Sequence, residues 1–195
     1  MGKIVISTNA TLDGVVQDPD GQEGFELGGW FHQFVGKDLE AWTANETEEA
    51  LGVEALLLGG RSFEWFASRG PSQDVRVGRT WADRMNSLPK YVVSSTLEHP
   101  QWSNTTVLHG DAVKEISELK RNVGGEILVY GSYQLVRTLI AQNLADELRL
   151  MVFPVVLGTG LRIFDETSGK KPLHLVDTRK VGDGLMSYTY EFVHG

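Results

Sequence analysis

Between Glu126 and Leu139 the chain reads Glu-Ile-Leu-Val-Tyr-Gly-Ser-Tyr-Gln-Leu-Val-Arg-Thr-Leu, and this stretch constrains the fold most. Ile127 to Tyr130 form an unbroken apolar run, which suits a strand covered on both faces. Gly131 allows a tight turn and close approach of a ligand to the main chain. Ser132 is a good N-cap, and Leu135, Val136, Leu139 and Ile140 repeat behind it at helical spacing. A strand, a glycine turn and a helix N-terminus leave N–H groups pointing outward, where phosphate or pyrophosphate binds well. An ordinary strand-to-helix connection has the same pattern, so the rest of the chain must decide between them.

An anion site contrasts with the charge of the whole chain, which is −8. That acidity argues against nucleic acid as a partner. It does not disfavour a small anion, because local donors outweigh distant charge screened over about 8 Å. There is no cysteine, so disulfides, a thiol nucleophile and cysteine-ligated metal are excluded. The five histidines never stand at i,i+4 spacing, and no metal is expected. The first residues read as a strand, not a signal peptide, and no run reaches membrane-spanning length. The expectation is one domain over residues 1–195, cytoplasmic, with no membrane partner.

Taken in order, Ile4 to Thr8 reads as a first strand. A glycine- and acid-rich loop from Asn9 to Gly29 follows, long enough to suggest function. Within it Asp13-Gly14 is either a turn or a carboxylate placed in a cleft. Trp30, Phe31, Phe34, Leu39 and Trp42 lie in a helical region expected to be acidic on its outer side; its aromatics either line a flat ligand's pocket or anchor the helix. Ala55 to Leu58 forms a second strand, ending at Gly59-Gly60 and followed by the helix start Arg61-Ser62-Phe63. A cation at a helix entrance opposes the helix dipole, so Arg61 implies either an outside anion or a nearby carboxylate. Arg69 to Arg79 is polar and irregular, and Trp81 to Leu88 reads as a short helix. The third strand, Pro89 to Leu97, ends in the hydroxyls Ser94, Ser95 and Thr96. Thr105 to Leu108 is a fourth strand, and Asp111 caps a helix that stops at Gly124-Gly125. Leu148 to Val152 is a strand, then Pro154 to Gly160 breaks into a glycine loop. Leu173 to Val181 and Leu185 to Val193 form a hairpin across Gly182-Asp183-Gly184.

The pattern predicts a three-layer α/β fold with a mostly parallel sheet and a C-terminal antiparallel hairpin. Ligands of such sheets bind at the C-terminal ends of parallel strands. Gly59 to Ser62, Ser94 to Thr96 and Gly131 to Gln134 all lie at such ends, where they can meet in one groove.

Several of these pieces occur in a known order. Thr11-Leu12-Asp13-Gly14, Leu57-Leu58-Gly59-Gly60-Arg61-Ser62-Phe63, Pro89-Lys90-Tyr91-Val92-Val93-Ser94, Val129-Tyr130-Gly131-Ser132, Asp146-Glu147-Leu148-Arg149-Leu150 and Pro154-Val155-Val156-Leu157-Gly158-Thr159-Gly160 cover nearly the whole chain. Together they resemble the dihydrofolate reductase-like superfamily, and more closely the C-terminal reductase domain of the riboflavin-biosynthesis deaminase/reductase (the RibD C-terminal type).

The resemblance implies an NADPH-dependent reductase acting on a C=N or C=O bond of a small heterocycle, pteridine- or pyrimidinone-like. By analogy Gly60, Arg61, Ser62 and Phe63, with Ser94, Ser95 and Thr96, hold the adenosine 2′-phosphate end. Gly131, Ser132, Tyr133, Gln134 and Leu135 cradle the pyrophosphate, and Thr8 and Val16 meet the nicotinamide carboxamide. Trp30, Phe31, Pro154 and Gly158 are expected at the substrate, with Asp13 as the candidate acid. In dihydrofolate reductases proper a carboxylate on the helix after the first loop has that role; here the helix offers Asp38, Glu40 and Glu46. Leu88 stands where those enzymes carry an arginine for the folate tail, which argues against folate. A pyrimidinone reductase of riboflavin synthesis and weak dihydrofolate reduction are the alternative activities. A nucleotide-binding module without turnover is the alternative from another class. A homodimer is expected from the resemblance.

Overall fold

The computed structural model describes residues 1–69, 78–164 and 169–194; most of the polar Arg69–Arg79 stretch lies outside them. The strands are β1 (Lys3–Thr11), β2 (Ala55–Gly59), β3 (Lys90–Val93), β4 (Thr105–Leu108), β5 (Glu126–Tyr130), β6 (Glu147–Phe153), β7 (Leu173–Val181) and β8 (Leu185–Phe192). The helices are α1 (Trp30–Val35), α2 (Leu39–Gly52), α3 (Gly60–Arg69), α4 (Gly78–Ser87), α5 (Ala112–Asn122) and α6 (Tyr133–Ala141), with a 3-10 turn at Gly36–Asp38. The strands form one sheet in the order β4-β3-β2-β5-β1-β6-β8-β7. β1 to β6 run parallel, while β8 is antiparallel to both β6 and β7. The expected three-layer architecture and closing hairpin are therefore the observed ones.

β5 is apolar because it is the inner strand of this order, flanked by β1 and β2. Strand residues alternate between two faces, and each face has its own core. Val5, Leu56, Leu58, Leu128 and Tyr130 meet Trp30, Phe31, Trp42, Trp81 and Met85 of α1, α2 and α4. Ile4, Ile6, Leu57, Ile127 and Val129 meet Ile116, Leu119, Leu135 and Leu139 of α5 and α6. Each large side chain so buried contributes about 1.5–3 kcal/mol, which is enough to set the register of the inner strands.

Two strand ends differ from the sequence expectation. β1 extends beyond Thr8 to Thr11, because Thr8 to Thr11 still pair with Leu150 to Phe153 of β6 after pairing with β5 has ended at Ser7. β3 stops at Val93 instead of Leu97, since the Ser94 hydroxyl accepts hydrogen bonds from the N–H groups of Thr96 and Leu97 and turns the chain. Between β2 and β5 only Ala55–Ile127 and Leu56–Leu128 are in register. Beyond them the two strands part, and a cleft opens at their C-terminal ends.

Candidate active site

That cleft is a groove of about 860 Å³, within the range of ligand sites. Its floor is made of glycines whose missing side chains are required by neighbours. A Cβ on Gly59 would lie 2.1 Å from the Ser132 Oγ, and one on Gly131, at φ 65°, would lie 3.1 Å from the Ser62 Oγ. The turn into α6 therefore packs directly on the end of β2.

Ser132 does not cap α6 as its sequence position suggested. It adopts φ 54° and ψ 73°, following the left-handed Gly131, and no side chain caps the helix. Its hydroxyl fills the space over Gly59 instead. The N-terminus of α6 thus faces the groove without an internal acceptor from Ser132, and suits an anion.

The groove brings together Thr8, Val16, Phe31, Gly60, Arg61, Ser62, Ser94, Ser95, Thr96 and Gly131 to Leu135 from the expected positions. Val16 arrives with its N–H already donated to the Leu161 carbonyl at 2.8 Å. Five expected residues lie outside the lining. Phe63 is 2% exposed, in the core, with its ring 6.1 Å from that of Trp102. Trp30 opens α1 and is buried, its indole N–H on the Gln17 carbonyl at 2.9 Å and its ring edge-on to Phe153. Pro154 and Gly158 are exposed, and the Gly158 N–H is spent on Asp13 of the first loop.

Asp13 is the fifth. Its carboxylate accepts hydrogen bonds from the Thr11 hydroxyl (2.6 Å) and the N–H groups of Leu157 (3.2 Å) and Gly158 (2.8 Å), with Arg162 at 3.5 Å. Burial pushes this carboxyl up, but the Thr11, Gly158 and Leu157 bonds outweigh it and lower the pKa to about 2. A group that releases its proton so readily is a poor acid at neutral pH. Asp13 ties two loops together, outside the groove.

Of the carboxylates that line the groove, Asp18, Asp20, Glu23, Glu46 and Glu64, the one carried by α2 is Glu46, and it is buried. α2 keeps Glu40 and Glu48 exposed on its outer side, as expected, but turns Glu46 and Glu49 inward beside Trp42 and Ala50. Of the other carboxylates considered there, Glu40 is exposed, and Asp38 accepts the N–H groups of Asp183 and Gly184 in the β7–β8 turn. Burial and the adjacent Glu49 push Glu46 well above the usual carboxylate range. Phe31, Trp42, Phe66, Trp81 and Tyr130 surround the same part of the groove. Leu88 is buried in this core. The signal for Glu46 was present in the sequence: Trp42, Glu46, Glu49 and Val53 recur at helical spacing, placing two carboxylates on an apolar stripe.

The first loop overhangs the groove through its own acids. Asp18 is buried and accepts the N–H groups of Gln22, Glu23 and Phe25. Asp20 accepts the Trp65 indole N–H at 3.0 Å, fastening the loop to α3.

Solved structures place this arrangement in a known class. The fold is that of dihydrofolate reductase: the Enterococcus faecalis enzyme, complexed with NADP(H) and RAB-propyl, matches with a TM-score of 0.62 at 18% identity, over 97% of this chain and 96% of that one. A protein from Shewanella sp. PV-4 with a suggested place in riboflavin biosynthesis matches with a TM-score of 0.73 at 21% identity, over 98% and 99% of the two chains. Within that class, the model of the RibD C-terminal domain matches residues 2–187, and the chain belongs to this family. The uncharacterized protein YyaP of Bacillus subtilis is 26% identical over 191 residues, 97% of this chain and 95% of the relative. No helix among the described residues is long and apolar enough to cross a membrane.

Proposed function

We propose that the protein is an NADPH-dependent reductase that reduces a C=N or C=O bond in a small planar heterocycle of pyrimidinone or pteridine type. The observation that carries this reading is one groove with a phosphate-suited end and an acid-bearing aromatic end. Arg61 and the hydroxyls of Ser94, Ser95 and Thr96 suit a dianionic 2′-phosphate, which favours NADPH over NADH. The glycine floor and the open N-terminus of α6 suit a pyrophosphate. Thr8 and the carbonyl of Val16 are available to a carboxamide. The cofactor supplies hydride; the chain sets distance, face and protonation. Glu46, buried and with its carboxyl pushed up by burial and by Glu49, replaces Asp13 as the candidate proton donor. The aromatic walls exclude water and hold a flat ring.

Binding is tested by quenching of tryptophan fluorescence, and turnover by loss of reduced-nicotinamide absorbance over a panel of pyrimidinones, pteridines and carbonyl compounds. Arg61→Ala is expected to weaken NADPH about 10–100-fold, the loss of charge-assisted hydrogen bonds, with NADH affinity unchanged. Glu46→Gln is expected to lower kcat about 10²–10⁴-fold, the size of an acid–base contribution, while NADPH affinity stays. Equal affinity for the two nucleotides would sink the phosphate assignment. Tight NADPH binding without oxidation across the panel would identify a nucleotide-binding module instead.

A further inference from the structure

We propose that Asn9 determines specificity at the aromatic end of the groove: its carboxamide NH₂, held in one orientation by Trp42, donates to an oxo group or ring nitrogen of the substrate and selects oxo heterocycles over their amino counterparts. The inference rests on the reading of the groove as the site of a ring reductase, and it adds which edge of the ring the chain accepts.

Alternation along β1 sets Val5, Ser7 and Asn9 on one face of the sheet, the face on which Val5 packs with the core residues of α1, α2 and α4. Pairing with β5 ends at Ser7, so at Asn9 the strand borders the cleft, and this half-buried residue lines the groove. There the Asn9 Oδ1 accepts the indole N–H of Trp42 at 3.1 Å. An indole nitrogen can only donate, so the carboxamide atom facing it must be the oxygen; the flipped amide would set its NH₂ against the N–H. Trp42 is itself held in place, buried and with its ring edge-on to Phe31 at 4.8 Å between centroids. The helix thus fixes which way the amide points. Among the described residues the Asn9 Nδ2 has no acceptor, and it is not sealed in the core. A ligand that covers it must supply an acceptor or leave its N–H bonds unpaired, which is costly once water is gone.

Trp42 and Glu46 stand one turn apart on the buried side of α2, so the oriented donor and the groove carboxyl border the same end of the groove. Phe31, Phe66, Trp81 and Tyr130 line that end as well. A flat ring held among them satisfies Asn9 with an oxo oxygen or an imine nitrogen. An exocyclic amino group in the same place meets a second donor. The mismatch loses one hydrogen bond and buries two unpaired polar groups, which is how a polar site rejects a close analogue.

The test is equilibrium dialysis of the full chain, with and without saturating NADP⁺, against pterin and the diaminopteridine in which an amino group replaces its oxo group, and against the matching pair of pyrimidines. Asn9→Asp keeps an oxygen for the Trp42 indole and puts a second oxygen where the NH₂ stood. The ratio of oxo to amino affinity is expected to fall about 10–100-fold in Asn9→Asp, since one pairing is lost and the opposite one gained. In Trp42→Phe, which keeps a ring but frees the amide to turn its oxygen inward, the ratio is expected to fall about 2–10-fold. An unchanged ratio in Asn9→Asp, with both rings bound as in the wild type or weakened equally, overturns the proposal and leaves Asn9 as an acceptor for the indole. A wild type that binds neither member of either pair also overturns it. Should Asn9→Asp fail to fold, Trp42→Phe decides by the same ratio. The ratio is a binding quantity, so a protein that holds these rings but never oxidises NADPH fails the reductase reading and still shows it. A working reductase whose variants keep the wild-type ratio fails the Asn9 proposal alone.

Discussion

Replacing Asp13 by Asn separates a structural carboxylate from a catalytic one. The side chain is 19% exposed and gathers the Thr11 hydroxyl, two N–H groups of the 157–158 turn and Arg162 around one carboxylate. A pKa lowered from 3.8 to about 2 corresponds to about 2.4 kcal/mol of preference for the charged form. Partial contact with water reduces this to about 1–2 kcal/mol of folding stability. Because the folded pKa lies below the unfolded one, the contribution is fully present above the unfolded value of 3.8 and is lost as pH falls through it towards about 2. Asp13→Asn should therefore lower the melting temperature at pH 7 by roughly 2–8 °C for a chain of this size. The gap from the wild type should narrow as pH falls through that window. Thermal and urea unfolding by circular dichroism measure it, alongside NADPH affinity and kcat on any substrate found. An unchanged melting temperature at pH 7 together with a collapse of kcat would refute the reasoning and return Asp13 to the chemistry.

Two further outcomes follow from the packing. Lys90 is fully buried, its Nζ donating to the carbonyls of Asn86, Leu88 and Ser103 with Trp102 beneath it; burial lowers its pKa from 10.5 to about 8. The unfolded chain binds this proton more tightly between those values, so the wild type should gain stability relative to Lys90→Met as pH rises from 8 towards 10.5, and parallel urea midpoints over that range would disprove it. Gly59→Ala sets a methyl against the Ser132 hydroxyl, which should cost about 1–3 kcal/mol by overpacking and weaken NADPH binding, and Gly59→Ala/Ser132→Gly should recover both; a double variant no better than the single one means the contact is not what excludes alanine there.

Much of the fold was legible in the sequence because its signals are local. The apolar run Ile127–Tyr130, the Asp-Gly turn of the hairpin and the Asp111 cap, whose carboxylate accepts the Lys114 N–H, each act within a few residues. Periodicity set the inner strands, and the glycines and hydroxyls at their ends pointed to a common groove. What was misread depends on partners distant in the chain. Ser132 looked like a cap until Gly59, 73 positions earlier, was seen to leave room for its side chain. Asp13 looked free until the 157–158 turn reached its carboxylate. Glu46 stood beside Asp38 and Glu40 with nothing local to choose among them; burying two carboxylates on one helix face is costly, and Arg149 on β6, about a hundred residues on, contacts the second of the buried pair, Glu49. By itself the sequence determined the layers and pointed to a groove where strands give way to helices, since backbone geometry and apolar spacing are local properties. The tertiary structure decided which carboxyl faces that site and which holds a loop, because the charge state of a buried acid is set by the groups the fold packs around it.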